Sequence, residues 1–379
     1  MKLARLTGTK LALGAVVLAL PLAGCGGSFG QMTASIGASA AGMVGVGDPG
    51  EPIPVQIFVA STRRDQDSPE GGLHEQIALV TLPPGHRPGE VELPRIGGTD
   101  PQRHFALAQS RALETDEFSH ELASHISGRV GAGRDILLFV HGFNTSLDEA
   151  RFRLAQIVRD SHFAGVPVLF TWPSKANVFS YVSDKERATA SRSALATVMR
   201  DLAAVPGVGR VHILAHSMGS WLSMEALHEN AIAGHPDLDG ALGEVMLAAP
   251  DIDLAVFRQQ IGPLKGHARV SVLVSHDDRA LNLSSKLAGD RPRLGALDPG
   301  KPGDASELEK LDVGVYDLSS FSNDLIGHGL FASAPAVIQS IGAQLAAPSS
   351  GKAAEMAGAA HLPPEVSRPV VGADLPAPG

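Results

Sequence analysis

Eight short apolar runs rich in Val, Ile and Leu constrain this chain more than any other feature: 55–60, 77–82, 136–140, 166–171, 210–215, 244–248, 270–275 and 313–317. Most are apolar almost throughout rather than alternating, as expected of strands buried on both faces. From the third run onward, helical patterns fall between several of them, at 147–161, 184–204, 218–230 and 334–345. Strands of this kind alternating with amphipathic helices predict an α/β fold, a mostly parallel eight-stranded sheet with helices on both faces. The stretch 295–303, with Pro299 and Pro302, interrupts the rhythm and reads as part of a surface excursion.

Composition supports a folded body and narrows its partners. With 379 residues, 44% of them hydrophobic, the chain can bury a sizeable core. Lys plus Arg number 31 against 40 Asp plus Glu, for a net charge of −9 with no basic stretch beyond the first residues. A nucleic-acid partner is thereby excluded. The single cysteine rules out an intramolecular disulfide. No Cys/His cluster has zinc-site spacing, so neither metal nor cofactor is expected.

The two ends read differently from the middle. Residues 1–24 carry Lys2, Arg5 and Lys10 before a short apolar run, the pattern of a cleaved signal peptide. It ends in Leu22-Ala23-Gly24-Cys25, which resembles the bacterial lipobox. That resemblance implies lipidation of Cys25 and a membrane partner reached through the lipid anchor. With Gly26 following the cysteine, it further implies the outer membrane of a bacterial envelope, facing the periplasm. Residues 25–54 read as a flexible stalk, 55–345 as the folded domain, and the Ala/Pro/Gly-rich 346–379 as a disordered tail.

The most informative segment is Ala215-His216-Ser217-Met218-Gly219, lying between an apolar run and a helical pattern. Ser217 then occupies a sharp strand-to-helix turn at the carboxyl edge of the sheet, where a nucleophile elbow sits. Such a turn needs small residues on either side because the two backbones come close. Ala215 and Gly219 supply them, Ala215 in place of the commoner glycine.

A serine hydroxyl becomes a good nucleophile only when a base takes its proton, and the base needs a carboxylate to hold its tautomer. In folds with this elbow the acid follows the seventh strand and the histidine the eighth. The seventh run leads into His276-Asp277-Asp278, which makes Asp278 the candidate acid. Asp277 beside it and Asp251 after the sixth run are the alternatives. An aspartate in such a loop can equally be a helix N-cap, a role that suits Asp251. His328 in Ile326-Gly327-His328-Gly329 is the candidate base, as no other histidine lies between the eighth run and the last helical pattern. His216 is assigned to packing or to a pocket wall. The third run leads into His141-Gly142-Phe143, where Gly142 lets the chain turn close to a substrate. The amides of Phe143 and Met218 are the candidate oxyanion donors. Trp172 and Tyr181 follow the fourth run on the same edge, as pocket lining or as packing.

Together the segments FVHGFNTS, TWPS, AHSMGS, AAPDID and SHDDRAL resemble the bacterial alpha/beta-hydrolase group described as esterase/lipase superfamily enzymes of unknown function, over about residues 55–345. The resemblance implies an alpha/beta-hydrolase fold and a serine hydrolase with Ser217 as nucleophile, Asp278 and His328 completing a triad. The expected reaction is cleavage of a small-molecule or lipid ester through an acyl-enzyme. Acyl transfer or amide cleavage would use the same residues, and a non-catalytic envelope-binding lipoprotein would use the anchor and stalk alone.

Overall fold

The structure is a computed structural model that describes residues 50–63, 72–175, 177, 180–321 and 328–347. The signal peptide, Cys25, most of the stalk, nearly all of the tail and Gly327 lie outside the described residues. Among the described residues, no helix is long and apolar enough to cross a membrane.

The chain opens with β1 (Ile53–Ser61), β2 (His74–Leu82), β3 (Ala106–Leu113) and α1 (Thr115–Ile126). Strands and helices then alternate through β4 (Ile136–Val140), α2 (Leu147–Asp160), β5 (Val166–Thr171), α3 (Tyr181–Ala190), α4 (Arg192–Ala203), β6 (Val211–His216) and α5 (Met218–Ile232). The carboxyl half adds β7 (Leu242–Ala248), α6 (Leu254–Ile261), β8 (Arg269–Val274), α7 (Arg279–Leu287), α8 (Pro302–Leu311), β9 (Gly314–Asp317), α9 (Leu330–Ser333) and α10 (Pro335–Ala346). The strands form one sheet in the order β3-β2-β1-β5-β4-β6-β7-β8-β9. The β1/β2 and β2/β3 pairs are antiparallel and all other neighbours parallel, so β4 to β9 present their carboxyl ends along one edge.

The sheet has nine strands rather than the expected eight. Every apolar run falls on a strand, and the additional one is β3. It is an edge strand whose residues 108–112 are exposed, so nothing in its composition marks it as buried. The expected helix 184–204 is also two helices, α3 and α4, meeting at Ser191. There the Ser191 hydroxyl donates to the Arg187 carbonyl at 3.0 Å and lies 2.8 Å from Thr62 Oγ1, a side-chain bond that competes with the helical ladder. The 295–303 excursion is packed at its start, where Gly295 and Leu297 are buried. A Cβ on Gly295 would stand 2.6 Å from the Pro250 amide nitrogen.

Alternate strand residues feed two separate cores. Ile136, Leu138 and Val140 of β4 join Val168, Ile213 and Val272 against α1, α4, α5 and α6. Leu137 and Phe139 turn the other way, with Val59, Leu169 and Leu214, against α2 and α10. Each such side chain contributes about 1.5–3 kcal/mol through burial, so the stability of the sheet does not depend on any one hydroxyl at its edge. The helix α2 starts at a capping box in which Ser146 Oγ accepts from the Glu149 amide at 3.3 Å and Glu149 Oε2 from the Ser146 amide at 2.7 Å. This fixes the exit of the loop 141–146.

Candidate active site

Ser217 sits between β6 and α5 with φ +53° and ψ −119°, a conformation that costs a non-glycine residue on the order of 1–3 kcal/mol. The surroundings enforce it. The Ser217 amide donates to the Ala248 carbonyl at 2.9 Å, and its carbonyl accepts from the Asp251 amide at 3.2 Å. Ala215 is fully buried, and its carbonyl takes the Ser220 hydroxyl at 2.8 Å. A Cβ on Gly219 would lie 2.4 Å from the His141 carbonyl oxygen and 2.6 Å from that of Val140, so only glycine lets α5 start this close to the end of β4. Gly142 is equally confined, since a Cβ there would lie 2.8 Å from His216 Nδ1.

His328 and Asp278 meet although 50 residues apart: Nδ1 of the imidazole lies 2.6 Å from Asp278 Oδ2. Asp278 is fully buried and uses both oxygens. Oδ1 caps α7 by accepting from the amides of Ala280 at 2.9 Å and Leu281 at 3.0 Å, leaving Oδ2 to hold the imidazole. The β8 loop that carries Asp278 is latched to β9. There Ser319 Oγ accepts from the His276 amide at 3.2 Å, lies 2.7 Å from His276 Nδ1 and donates to Asp317 Oδ1 at 2.6 Å. Among the described residues, Ser217 Oγ makes no hydrogen bond, so Ser217 and the His328 imidazole share the edge without a bond of 3.5 Å or less between them.

His216 is the seat of His328. Its Nε2 donates to the His328 carbonyl at 2.9 Å, and its ring packs 4.7 Å from the His328 ring and 4.7 Å from that of Phe331. Burial, with the neighbouring His328 contributing, drives the His216 pKa well below its ordinary value, so it serves as a neutral support.

The alternative acids stand elsewhere. Asp277 is 64% exposed, and its nearest basic group is His276 Nε2 at 3.5 Å. Asp251 is buried in a polar cluster: Tyr181 donates to it at 2.7 Å, Ser284 at 2.5 Å, and Arg293 Nε lies 3.2 Å away. The N-cap role anticipated for Asp251 belongs instead to Asp253, which accepts from the amides of Ala255 and Val256. Asp251 is two residues too early for α6 and has a buried arginine to neutralise.

Neither the Phe143 amide nor the Met218 amide donates a hydrogen bond among the described residues. Both are therefore free to receive an oxygen. Phe143 packs edge-on against Tyr181 at 5.5 Å, making Tyr181 part of the wall next to the loop. Trp172 is fully buried, stacks on His141 at 5.1 Å and donates Nε1–H to the His141 carbonyl at 3.0 Å. It is packing. A residue the sequence reading missed is Arg63, two residues beyond β1, which reaches the loop 141–145 from behind. No local motif marks it.

Residues 114–345, more than half of the chain, match the family described as "Alpha/beta hydrolase of unknown function (DUF900)". No curated protein matches. Among solved structures, the chain is similar to the Pyrobaculum calidifontis esterase in its monoclinic form, at 12% identity and TM-score 0.34, covering 76% of this chain and 85% of that one. It is also similar to brefeldin A esterase, described as a bacterial homologue of human hormone sensitive lipase, at 13% identity and TM-score 0.36, covering 77% and 75%. A third is ESTFA in an Fe-lacking apo form, at 9% identity and TM-score 0.30, covering 74% and 82%. The matched span holds the elbow, the 141–143 loop and the Asp278–His328 pair, and the chain belongs to this alpha/beta-hydrolase family.

Proposed function

We propose that the chain is a serine hydrolase that cleaves carboxylic esters through an acyl-enzyme on Ser217. The observation that carries this reading is the 2.6 Å contact between His328 Nδ1 and a fully buried Asp278 at the sheet edge where Ser217 is held in a strained turn. With Nδ1–H committed to Asp278, the lone pair of His328 is on Nε2, where it can accept a proton from Ser217. The missing Ser217–His328 hydrogen bond forms when substrate fills the edge, as catalytic bonds often tighten only in the complex.

In the forward step Ser217 Oγ attacks the ester carbonyl while His328 Nε2 takes its proton. The carbonyl oxygen, now negative, accepts from the Phe143 and Met218 amides. Each such donor contributes about 10²- to 10³-fold in rate. His328 returns the proton to the departing alkoxide, leaving Ser217 acylated. Water, deprotonated by His328, then attacks the acyl carbon, releasing the acid and restoring the serine. Asp278 keeps its hydrogen bond to Nδ1–H and stabilises the imidazolium.

The test is covalent. A fluorophosphonate probe added to the full chain is expected to form one adduct, on the peptide containing Ser217, and none in the Ser217→Ala variant. Folded protein that stays unlabelled, or that is labelled equally well in the variant, would contradict the proposal.

A further inference from the structure

The side chain of Arg63 enters the back of the 141–145 loop and satisfies four acceptors at once. Nε donates to Thr171 Oγ1 at 2.7 Å, Nη1 to the Ser174 carbonyl at 2.9 Å, and Nη2 to the Thr145 carbonyl at 2.8 Å and His141 Nε2 at 3.2 Å. One guanidinium thus ties the loop after β4 to the loop after β5. Its place comes from strand register: Ser61 pairs with Thr171, and the Thr62 amide donates to the Thr171 carbonyl at 3.0 Å, which sets residue 63 beside the end of β5. Arg63 also lies outside the span that matches the family.

The consequence runs through His141. Its Nε2 is approached by Arg63 Nη2, by the Trp172 amide at 3.3 Å and by Thr171 Oγ1 at 3.0 Å. The guanidinium and the Trp172 amide can only donate, so Nε2 is their acceptor, and the Thr171 hydroxyl, which already takes Arg63 Nε–H on one lone pair, turns its proton to the same nitrogen. With two obligatory donors aimed at it, Nε2 is unprotonated and the ring proton is on Nδ1. Nδ1 lies 2.8 Å from the Gly142 carbonyl oxygen and donates to it. That carbonyl belongs to the same peptide unit as the Phe143 N–H. In a trans peptide the two point in opposite directions, so holding the carbonyl toward His141 turns the amide away from it, on a peptide that adjoins Ser217: a Cβ on Gly142 would lie 3.1 Å from Ser217 Cβ. Burial and the Arg63 charge lower His141 to about 3, and burial, opposed by Asp184, lowers Arg63 to about 10. At neutral pH the imidazole is neutral and the guanidinium charged.

We propose that Arg63 is a positioning residue for the oxyanion donor: with Thr171 it fixes the Nδ1–H tautomer of His141, which holds the Gly142–Phe143 peptide with its N–H facing the substrate carbonyl. The inference rests on the hydrolase reading of the site. With the other tautomer, Nδ1 would set a lone pair against the Gly142 carbonyl, and the peptide would lose its tether.

The experiment compares the full-length wild type with Arg63→Met and Arg63→Lys. Because the missing contribution is alignment of one oxyanion donor, kcat is expected to fall about 10- to 100-fold in both variants, while KM changes less than about 3-fold. Affinity for a trifluoromethyl ketone analogue of the tetrahedral state should fall by the same factor as kcat. Lysine should not rescue, since it cannot bridge four acceptors. The readout that a merely structural role would not move is the ¹⁵N spectrum of His141. The wild type should show protonated Nδ1 and unprotonated Nε2 from pH 5 to 9, and the variants a tautomer mixture. Unchanged kcat and analogue affinity in Arg63→Met would overturn the proposal. So would a wild-type His141 protonated on Nε2, and that measurement stands even where the variants do not fold. A wild type inert toward esters and toward the phosphonate would sink the hydrolase reading while leaving the tautomer result to be read separately.

Discussion

Ser217→Ala and His328→Ala are each expected to lower ester turnover by about 10⁴- to 10⁶-fold, and the double variant to be no worse than either alone, because groups that act as one unit fail together. The physical reason is that neither half works without the other: an alanine at 217 leaves nothing to attack, and an alanine at 328 leaves the hydroxyl protonated. Ser217→Ala should keep the melting temperature of the parent, since its Oγ has no partner among the described residues and the sheet is held by the two apolar cores. Steady-state kinetics with thermal unfolding on the same samples checks both statements. Single variants retaining more than about a hundredth of parental turnover while folded would count against the triad.

Asp278→Asn is the second large effect, and its value lies in separating chemistry from stability. Asparagine is as good an N-cap as aspartate, so its oxygen can still accept from the Ala280 and Leu281 amides and the start of α7 should survive. With the oxygen so engaged, the amide NH₂ takes the place of Oδ2 opposite His328 Nδ1. A donor there forces the imidazole proton onto Nε2, the wrong tautomer for a base, and turnover should fall by about 10⁴-fold. Asp251→Asn should do the reverse. It removes the charge partner of an Arg293 that is only 2% exposed, at a cost of about 3–5 kcal/mol in stability, while turnover of the folded fraction stays within about tenfold. Parallel measurement of kcat and unfolding free energy for the two variants distinguishes them. Loss of turnover in folded Asp251→Asn, with Asp278→Asn active, would reassign the acid.

What the sequence disclosed depends on whether the physics is local. The runs at 136–140, 210–215 and 270–275 are legible because strands buried on both faces must be apolar throughout. Strand β3 is not, because an edge strand with an exposed face has no such requirement. The break at Ser191 hides for a related reason: a serine hydroxyl returning to the Arg187 carbonyl looks, in sequence, like any polar helical residue. At the site, Ser217 is legible because Ala215 and Gly219 announce a tight turn, and Asp278 and His328 because chain order restricts the choice. Chain order favours Asp278 over Asp277 and Asp251 but leaves both alternatives open. The decision is geometric, made by which carboxylate is buried facing the imidazole and which is already engaged by Arg293 and Tyr181. Arg63 was invisible because its place depends on β1 pairing with β5 more than a hundred residues later, and no spacing rule encodes that register.

During turnover the substrate's acyl group must reside covalently on Ser217, which a non-catalytic binding role for this site would never require. Acid quenching of the full chain in the first turnovers of a chromogenic ester, followed by peptide mass analysis, reads this directly. The expected result is the acyl mass increment on the peptide containing Ser217, diminishing as substrate is exhausted and missing from the Ser217→Ala variant. Alcohol released at the full rate with no acylated peptide, or with the acyl group on another residue, would contradict the assignment.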